Sequence, residues 1–332
     1  MKKILITGGA GFIGFHLAKK LIEEDYKIDI IDNFSRGIKD SSLDMLIASK
    51  KINLINLNLE NDIDFNLLDN DYTYIYHLAA IVGVQHVVNS PYKVLEKNFI
   101  LLNNLINFAR CQKKLKRFIF ASTSEVYAST LKDYGLVFPT PEDTLLSIGN
   151  DFEKRNTYML SKIYGEAMCT HSGLPFTIIR PHNFYGPRMG LSHVIPELIK
   201  KVYFINENKL EINSANHLRT FCYIDDAINM IIKLIINEDS VNEVYNIGNS
   251  DNEISIMDVA SKVVELANKK LELVPKPDIN HGPKRRCPST EKLDALVNYR
   301  HKIKIDEGIS KCHDWYYNNV FKHNNESAIW YL

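Results

Sequence analysis

The chain has 332 residues, 45% hydrophobic and 24% charged, enough apolar material for one large domain or two smaller ones. Lys plus Arg and Asp plus Glu number 40 each, so the formal net charge is +0 and gives no basis for a nucleic-acid or membrane-surface role. No apolar run reaches the roughly 20 residues that span a bilayer, and the widely scattered Cys111, Cys169, Cys222, Cys287 and Cys312 suit reduced thiols better than a disulfide framework or a zinc site.

The first element is an apolar strand near 2–7. Thr7-Gly8-Gly9-Ala10-Gly11-Phe12-Ile13-Gly14 follows it, and a helix is expected over 12–24. Glycines at 8 and 11 let backbone N–H groups approach a pyrophosphate at the helix N-terminus, and Gly14 lets the helix lie close to the strand. With no leader before this strand, the expected location is the cytoplasm. A second strand, 27–31, ends at Asp32, with Asn33 next to it. A carboxylate there accepts hydrogen bonds from a ribose and repels a 2′-phosphate, which favours NAD over NADP; Arg36, close by, is the feature a 2′-phosphate would use.

Further strands are expected near 52–57, 73–77, 116–121 and 175–180, with helices near 92–112 and 156–172. Strands alternating with amphipathic helices predict an α/β fold with a doubly wound parallel (Rossmann) sheet over 1–180. After Pro181 the rhythm changes: helices near 194–202, 225–237, 255–269 and 306–319, with strands near 209–212, 219–224 and 243–247. Residues 181–332 read as a smaller mixed α/β substrate lobe, partly interleaved with the first. Pro275, Pro277, Gly282 and Pro283 mark an irregular loop, and the tail from His323 is expected to be loosely held unless Trp330 and Tyr331 anchor it.

Two segments carry chemistry. Tyr158 and Lys162 are four apart on a predicted helix, so both project from one face. An ammonium one turn away, together with an oxidised nicotinamide, stabilises a phenolate able to take a proton from a sugar hydroxyl. Taken alone, this spacing also arises by chance. Ser122-Thr123-Ser124-Glu125-Val126-Tyr127 follows the apolar strand Phe118 to Ala121, at the end of the sheet where open α/β folds place their sites. His77 reads as a packing residue, and no histidine has metal-ligand spacing, so no metal is expected.

At this point the chain resembles the extended short-chain dehydrogenase/reductases that modify nucleotide-linked sugars, with NAD as cofactor. The resemblance implies Gly8, Gly11, Phe12, Ile13, Gly14, Asp32 and Asn33 against the dinucleotide, with Leu78, Ala79, Ala80 and Asn98 beside it. It implies Thr123, Tyr158 and Lys162 as the catalytic group, and the last two also touch the cofactor. Arg180-Pro181-His182-Asn183-Phe184-Tyr185-Gly186-Pro187 looks like the nucleotide-sugar loop, and Asn183, Arg188, Arg219, Arg286 and Ser124 are implied substrate contacts. The chain departs from the family pattern at Ala128, Leu101-Leu102 and Ser289, which bears on the shape of the sugar pocket.

Glu125 separates the possible reactions. A carboxylate beside Thr123 suits removal of the C5 proton once C4 is a ketone, so the sequence favours 4,6-dehydration of a nucleotide-linked hexose. Decarboxylation of a nucleotide-linked glucuronate is next, with Arg285, Arg286 and Arg188 as cations for the carboxylate, then 4-epimerisation. A non-catalytic dinucleotide-binding regulator is the alternative of another class; such chains often lose the Tyr or Lys retained here. A homodimer is expected through a four-helix interface of the helices near 92–112 and 156–172, using Leu101, Leu102, Leu105, Ile106, Ile163 and Met168.

Overall fold

The computed structural model describes residues 2–61, 67–149, 153–276 and 283–322. The tail with Trp330 and Tyr331, and Pro277 and Gly282 of the irregular loop, lie outside them. In chain order the first half runs β1 (Lys3–Thr7), α1 (Phe12–Glu23), β2 (Lys27–Ile31), α2 (Ser41–Ala48), β3 (Ile52–Ile55), β4 (Tyr74–His77), α3 (Val84–Asn89), α4 (Pro91–Arg110), β5 (Arg117–Ala121), α5 (Ala128–Tyr134), α6 (Asn156–Thr170) and β6 (Phe176–Pro181). Then follow β7 (Phe184–Tyr185), α7 (Val194–Phe204), β8 (Lys209–Ile212), β9 (Leu218–Arg219), β10 (Cys222–Tyr223), α8 (Ile224–Ile236), β11 (Glu243–Ile247), β12 (Ile254–Ser255), α9 (Ile256–Leu266), β13 (Glu272–Pro275), β14 (Arg285–Arg286), α10 (Glu291–Val297) and α11 (Ile305–Tyr316).

Seven strands form one sheet in the order β11-β6-β5-β4-β1-β2-β3, and every pairing in it is parallel. Its central strands are buried along their length because helices cover both faces. Side chains alternate between two cores. Ile4 and Ile6 join α1 and the second-half helices on one face, while Leu5 joins α4 and α6 on the other. The order reverses beside β1, so the strand C-terminal ends open a crevice where such folds bind ligands.

β11 is in the second half of the chain yet extends the main sheet by pairing with β6. The division at residue 180 therefore crosses the sheet. The segment 219–224, which reads as one strand, is two short ones: β9 pairs with β12 and β14, and β10 pairs with β7. Among the described residues no helix is long and apolar enough to cross a membrane.

Leu101, Leu102, Leu105 and Ile106 of α4 are buried in the sheet-side core, with Met168 of α6 packed against it. These side chains cover the sheet and are not free to meet another subunit. The outward apolar residues are Tyr92, Leu95 and Phe99 on α4 and Tyr164 on α6, with Phe99 and Tyr164 in ring contact at 5.8 Å.

One buried ion pair ties α6 to the strand ends. Arg180 donates through Nε to Glu166 Oε1 (2.9 Å) and through Nη2 to Glu166 Oε2 (2.7 Å), and Ser122 Oγ donates to Glu166 Oε1 at 2.5 Å. Their side chains are 5% and 10% exposed. Glu166→Ala should cost about 3–5 kcal/mol in urea unfolding of the full chain, because Arg180 is left charged and buried. Replacing both partners, as Glu166→Ala with Arg180→Met, should cost less than the single change.

Candidate active site

The glycine turn leaves β1 with Gly8 at φ +71°, and a Cβ there would sit 2.9 Å from the Ala79 nitrogen. At Gly14 a Cβ would lie 2.6 Å from Gly9 Cα, so only glycine allows α1 to lie this close to the turn. Gly11 caps α1 with no side-chain hydrogen bond, so the first N–H groups of the helix stay available to a phosphate. Phe12 and Ile13 open the helix, half-buried. Asp32 is 8% exposed; Oδ2 accepts from the Ala10 N–H (3.0 Å) and Oδ1 from the Phe34 N–H (2.8 Å). Burial pushes its carboxyl up, and the two backbone N–H groups oppose that shift. Asn33 is exposed beside it and accepts from the Ser35 N–H.

Leu78, Ala79 and Ala80 follow β4, next to the turn. Thr7 Oγ1 accepts from the Ala79 N–H (3.3 Å) and lies 2.9 Å from His77 Nδ1. His77 is buried and its pKa is lowered to about 3 by that burial, which makes it a packing residue. Asn98 on α4 accepts from the Ile81 N–H (2.7 Å) and donates to Ser161 Oγ (3.0 Å), and Ser161 donates to the Tyr158 carbonyl (2.7 Å). Asn98 thus joins the loop after β4 to α6. The glycine cradle, the uncapped helix start and the carboxylate at the end of β2 fit a dinucleotide.

Thr123, Ser124 and Glu125 lie where β5 ends, with Tyr158 and Lys162 on α6 beside it. Lys162 is buried; Nζ donates to the Ala121 carbonyl (2.7 Å) and lies 5.8 Å from the centre of the Tyr158 ring. Burial lowers its pKa to about 8. The Tyr158 phenol is pushed up, first by burial and then by the negative charge of Glu125, while a hydrogen bond with Thr123 and the charge of Arg36 oppose this. Thr123, Tyr158 and Lys162 therefore form one hydrogen-bonded and electrostatic group.

Glu125 Oε1 accepts from Arg286 Nη2 at 2.6 Å. Burial would raise the Glu125 carboxyl, but Arg286, then Arg155 and Arg219, hold it below its ordinary value. The arginines meet through strand register: β14 lies parallel to β9 with Arg286 opposite Arg219. Arg219 also donates to the Pro283 carbonyl (2.5 Å). Arg285 turns outward to Glu253 (2.6 Å). Asn183, at φ 44°, donates to the Thr220 carbonyl (2.9 Å), joining the loop after β6 to the arginine segment.

Arg188 is placed elsewhere. It is 2% exposed, lies over the Phe15 ring at 3.9 Å and pairs with Asp40, so it braces α1 against the start of α2. Nη2 also donates to the Ile38 carbonyl (3.2 Å), while Nε is buried with no partner among the described residues. The sequence by itself assigns no role to Glu166, and it marks Asn246 only as part of a segment, Tyr245-Asn246-Ile247-Gly248, that resembles the family. Glu166 is four residues after Lys162 on the same helix, and that spacing was the available signal. Asn246 is 0% exposed and joins Tyr127, His182, Thr140 and Ser289, an arrangement no local pattern announces.

A family model for the NAD dependent epimerase/dehydratase family matches residues 4–248. The chain is 32% identical over 329 residues to a UDP-N-acetyl-alpha-D-glucosaminuronate decarboxylase of Bacillus cytotoxicus, covering 95% of this chain and 98% of that one. It is 31% identical over 285 residues to a dTDP-D-glucose 4,6-dehydratase of Dictyostelium discoideum, covering 80% and 62%. Among solved structures it is similar to a UDP-glucuronic acid 4-epimerase from Bacillus cereus in complex with UDP-glucuronic acid and NAD, at TM-score 0.81 and 27% identity over 94% of this chain and 98% of that one.

The Lys162 value sets a pH dependence of stability. The side chain titrates near 8 when folded against an ordinary 10.5, so the unfolded chain holds that proton more tightly. Its contribution should penalise folding fully below about pH 8 and be relieved as pH rises toward 10.5. Urea midpoints of the wild type should rise relative to Lys162→Met across that interval. Parallel curves would mean that Lys162 titrates as if exposed.

Proposed function

We propose, from the premise that this chain belongs to the NAD dependent epimerase/dehydratase family, that it modifies a nucleotide sugar by oxidising C4 of a UDP-linked uronic acid and releasing its carboxylate as carbon dioxide. The observation that carries this reading is the 2.6 Å pair between Arg286 and Glu125 beside Thr123. A guanidinium whose partner inside the site is a carboxylate is matched to a second carboxylate on the substrate. Two of the relatives named above act, by name, on uronic acids. The order of reactions favoured by the sequence is therefore changed: decarboxylation is placed ahead of 4,6-dehydration, which needs a free base where Glu125 is held by Arg286.

The glycine turn, the start of α1 and Asp32 would hold NAD, which would supply the hydride acceptor, and later the donor, for C4. Tyr158 takes the C4 hydroxyl proton, with Thr123 sharing the oxygen and Lys162 supporting the phenolate. Arg286 takes the sugar carboxylate and fixes the C5–carboxyl bond relative to the new carbonyl. The bond breaks with its electron pair moving into the C4–C5 system, and carbon dioxide leaves. Tyr158 and Thr123 stabilise the resulting enolate oxygen. Once Arg286 is occupied by substrate, Glu125 loses its main counter-charge. Burial then raises its carboxyl, which takes a proton from water and delivers it to C5, and Tyr158 gives its proton back to the C4 oxygen as that carbon is reduced.

Incubation with UDP-glucuronate and UDP-N-acetylglucosaminuronate, read by mass spectrometry, should give loss of carbon dioxide with no net NADH. Arg286→Met should weaken uronic-acid binding about tenfold to a hundredfold, and weaken UDP-glucose binding less. Loss of water from a hexose substrate, or a product of unchanged mass, would replace this reading with dehydration or epimerisation.

The assembly we propose is a homodimer through α4 and α6. Its contacts are the outward Tyr92, Leu95, Phe99 and Tyr164, paired with their symmetry mates in a four-helix interface. Phe99→Asp should shift the light-scattering mass from dimer to monomer at micromolar concentration. A monomeric wild type would remove the proposal.

A further inference from the structure

Arg36 is the cation that the sequence sets close to Asp32, where a 2′-phosphate would use it, but the fold sends its side chain elsewhere. Each Asp32 oxygen already accepts a backbone N–H, from Ala10 or Phe34. Arg36 instead reaches across to the loop after β4, where its Nη1 donates to the Val82 carbonyl. Its charge is felt by Tyr158 on α6 and by His193 at the start of α7, so the guanidinium stands in the crevice between the two halves of the chain.

Strand order shows what this bond crosses. β1 lies between β4 and β2, so a bond from the loop after β2 to the loop after β4 spans the end of β1, where the glycine turn begins. Both loops also touch the turn itself. A Cβ at Gly37 would lie 2.8 Å from Ala10 Cβ, and the Ile38 N–H donates to the Ala10 carbonyl (3.1 Å). On the other side a Cβ at Gly8 would lie 2.9 Å from the Ala79 nitrogen, and the Ile81 N–H, next to Val82, is held by Asn98. The turn, the two loops and the Arg36–Val82 bond therefore close a ring around the place where a pyrophosphate would rest. Backbone contacts fix both footings of the ring, while Arg36 is an exposed, long side chain that can lift and settle again without moving them.

We infer that Arg36 is a clasp over the dinucleotide, lifting from Val82 to admit NAD and then holding its pyrophosphate from the side opposite the start of α1. The first N–H groups of α1 offer the doubly anionic pyrophosphate only partial charge, and Arg36 adds a full, forked cation. A cofactor that takes a hydride from C4 and returns it to the same sugar must stay bound through the cycle, and a clasp lengthens that stay. This holds whichever bond of the sugar breaks in between.

Release of NADH from the full chain, chased with excess NAD and followed by nicotinamide fluorescence, reads the clasp without turnover. Arg36→Met should release NADH about tenfold to a hundredfold faster, with the rate of binding changed less. Arg36→Lys, which keeps the charge but not the fork, should fall between. Calorimetry with ADP, which has the pyrophosphate and no nicotinamide, should show a similar loss of affinity in Arg36→Met. Unchanged release overturns the clasp. So does tighter NAD in Arg36→Met, which would make Arg36 a plug that competes with the cofactor. A loss confined to NADP would also overturn it and return Arg36 to a 2′-phosphate.

Discussion

The bidentate bond between Arg180 and Glu166 holds the site together. Glu166 is on α6, one turn beyond Lys162, and Arg180 is at the end of β6. Ser122 donates to the same carboxylate from the end of β5, immediately before Thr123. Three elements distant in sequence thus converge on one buried carboxylate. Their convergence sets where Tyr158 and Lys162 stand relative to Thr123. The price of burying two charges is offset only by good geometry and further hydrogen bonds. Arg180 also donates to the Tyr127 hydroxyl (2.6 Å) and the Glu142 carbonyl (3.0 Å). From Tyr127 the network continues through Asn246 to His182.

Electrostatics divide the site into two ends. Toward α6, Lys162 is stripped of water and gives up its proton more readily than an exposed lysine. Toward the second lobe, Arg286 and Arg219 converge on Glu125. The second end is thus cationic and suited to anionic groups, as in the uronic-acid nucleotide sugar we propose. Glu125 couples the two, since its charge raises Tyr158 and is itself held by Arg286. A ligand that draws Arg286 away from Glu125 therefore changes the protonation of both groups.

The corrections share one cause: local pattern reports that a side chain is apolar or charged, but not what it meets. The α4 residues Leu101, Leu102, Leu105 and Ile106 satisfy a helix stripe, yet that stripe faces the sheet, and the outward stripe is Tyr92, Leu95 and Phe99. Arg188 follows the segment 180–187, and with its backbone at φ 68° its guanidinium meets Asp40, a partner no local pattern announces. Arg285 and Arg286 are adjacent in sequence and alternate across a short strand, so one faces Glu253 and the other Glu125.

The sequence by itself determined the parallel α/β sheet, the glycine cradle with its acid at the end of β2, and the pairing of Tyr158 with Lys162. Each depends on spacings of a few residues, which a strand, turn or helix converts directly into geometry. Only the tertiary structure decided that β11 completes the sheet, that Glu166 meets Arg180, that Arg286 meets Glu125, and that His182 meets Asn246. Those meetings join residues brought together by strand order and register across the fold. No periodicity along the chain encodes which distant carboxylate a given arginine will find.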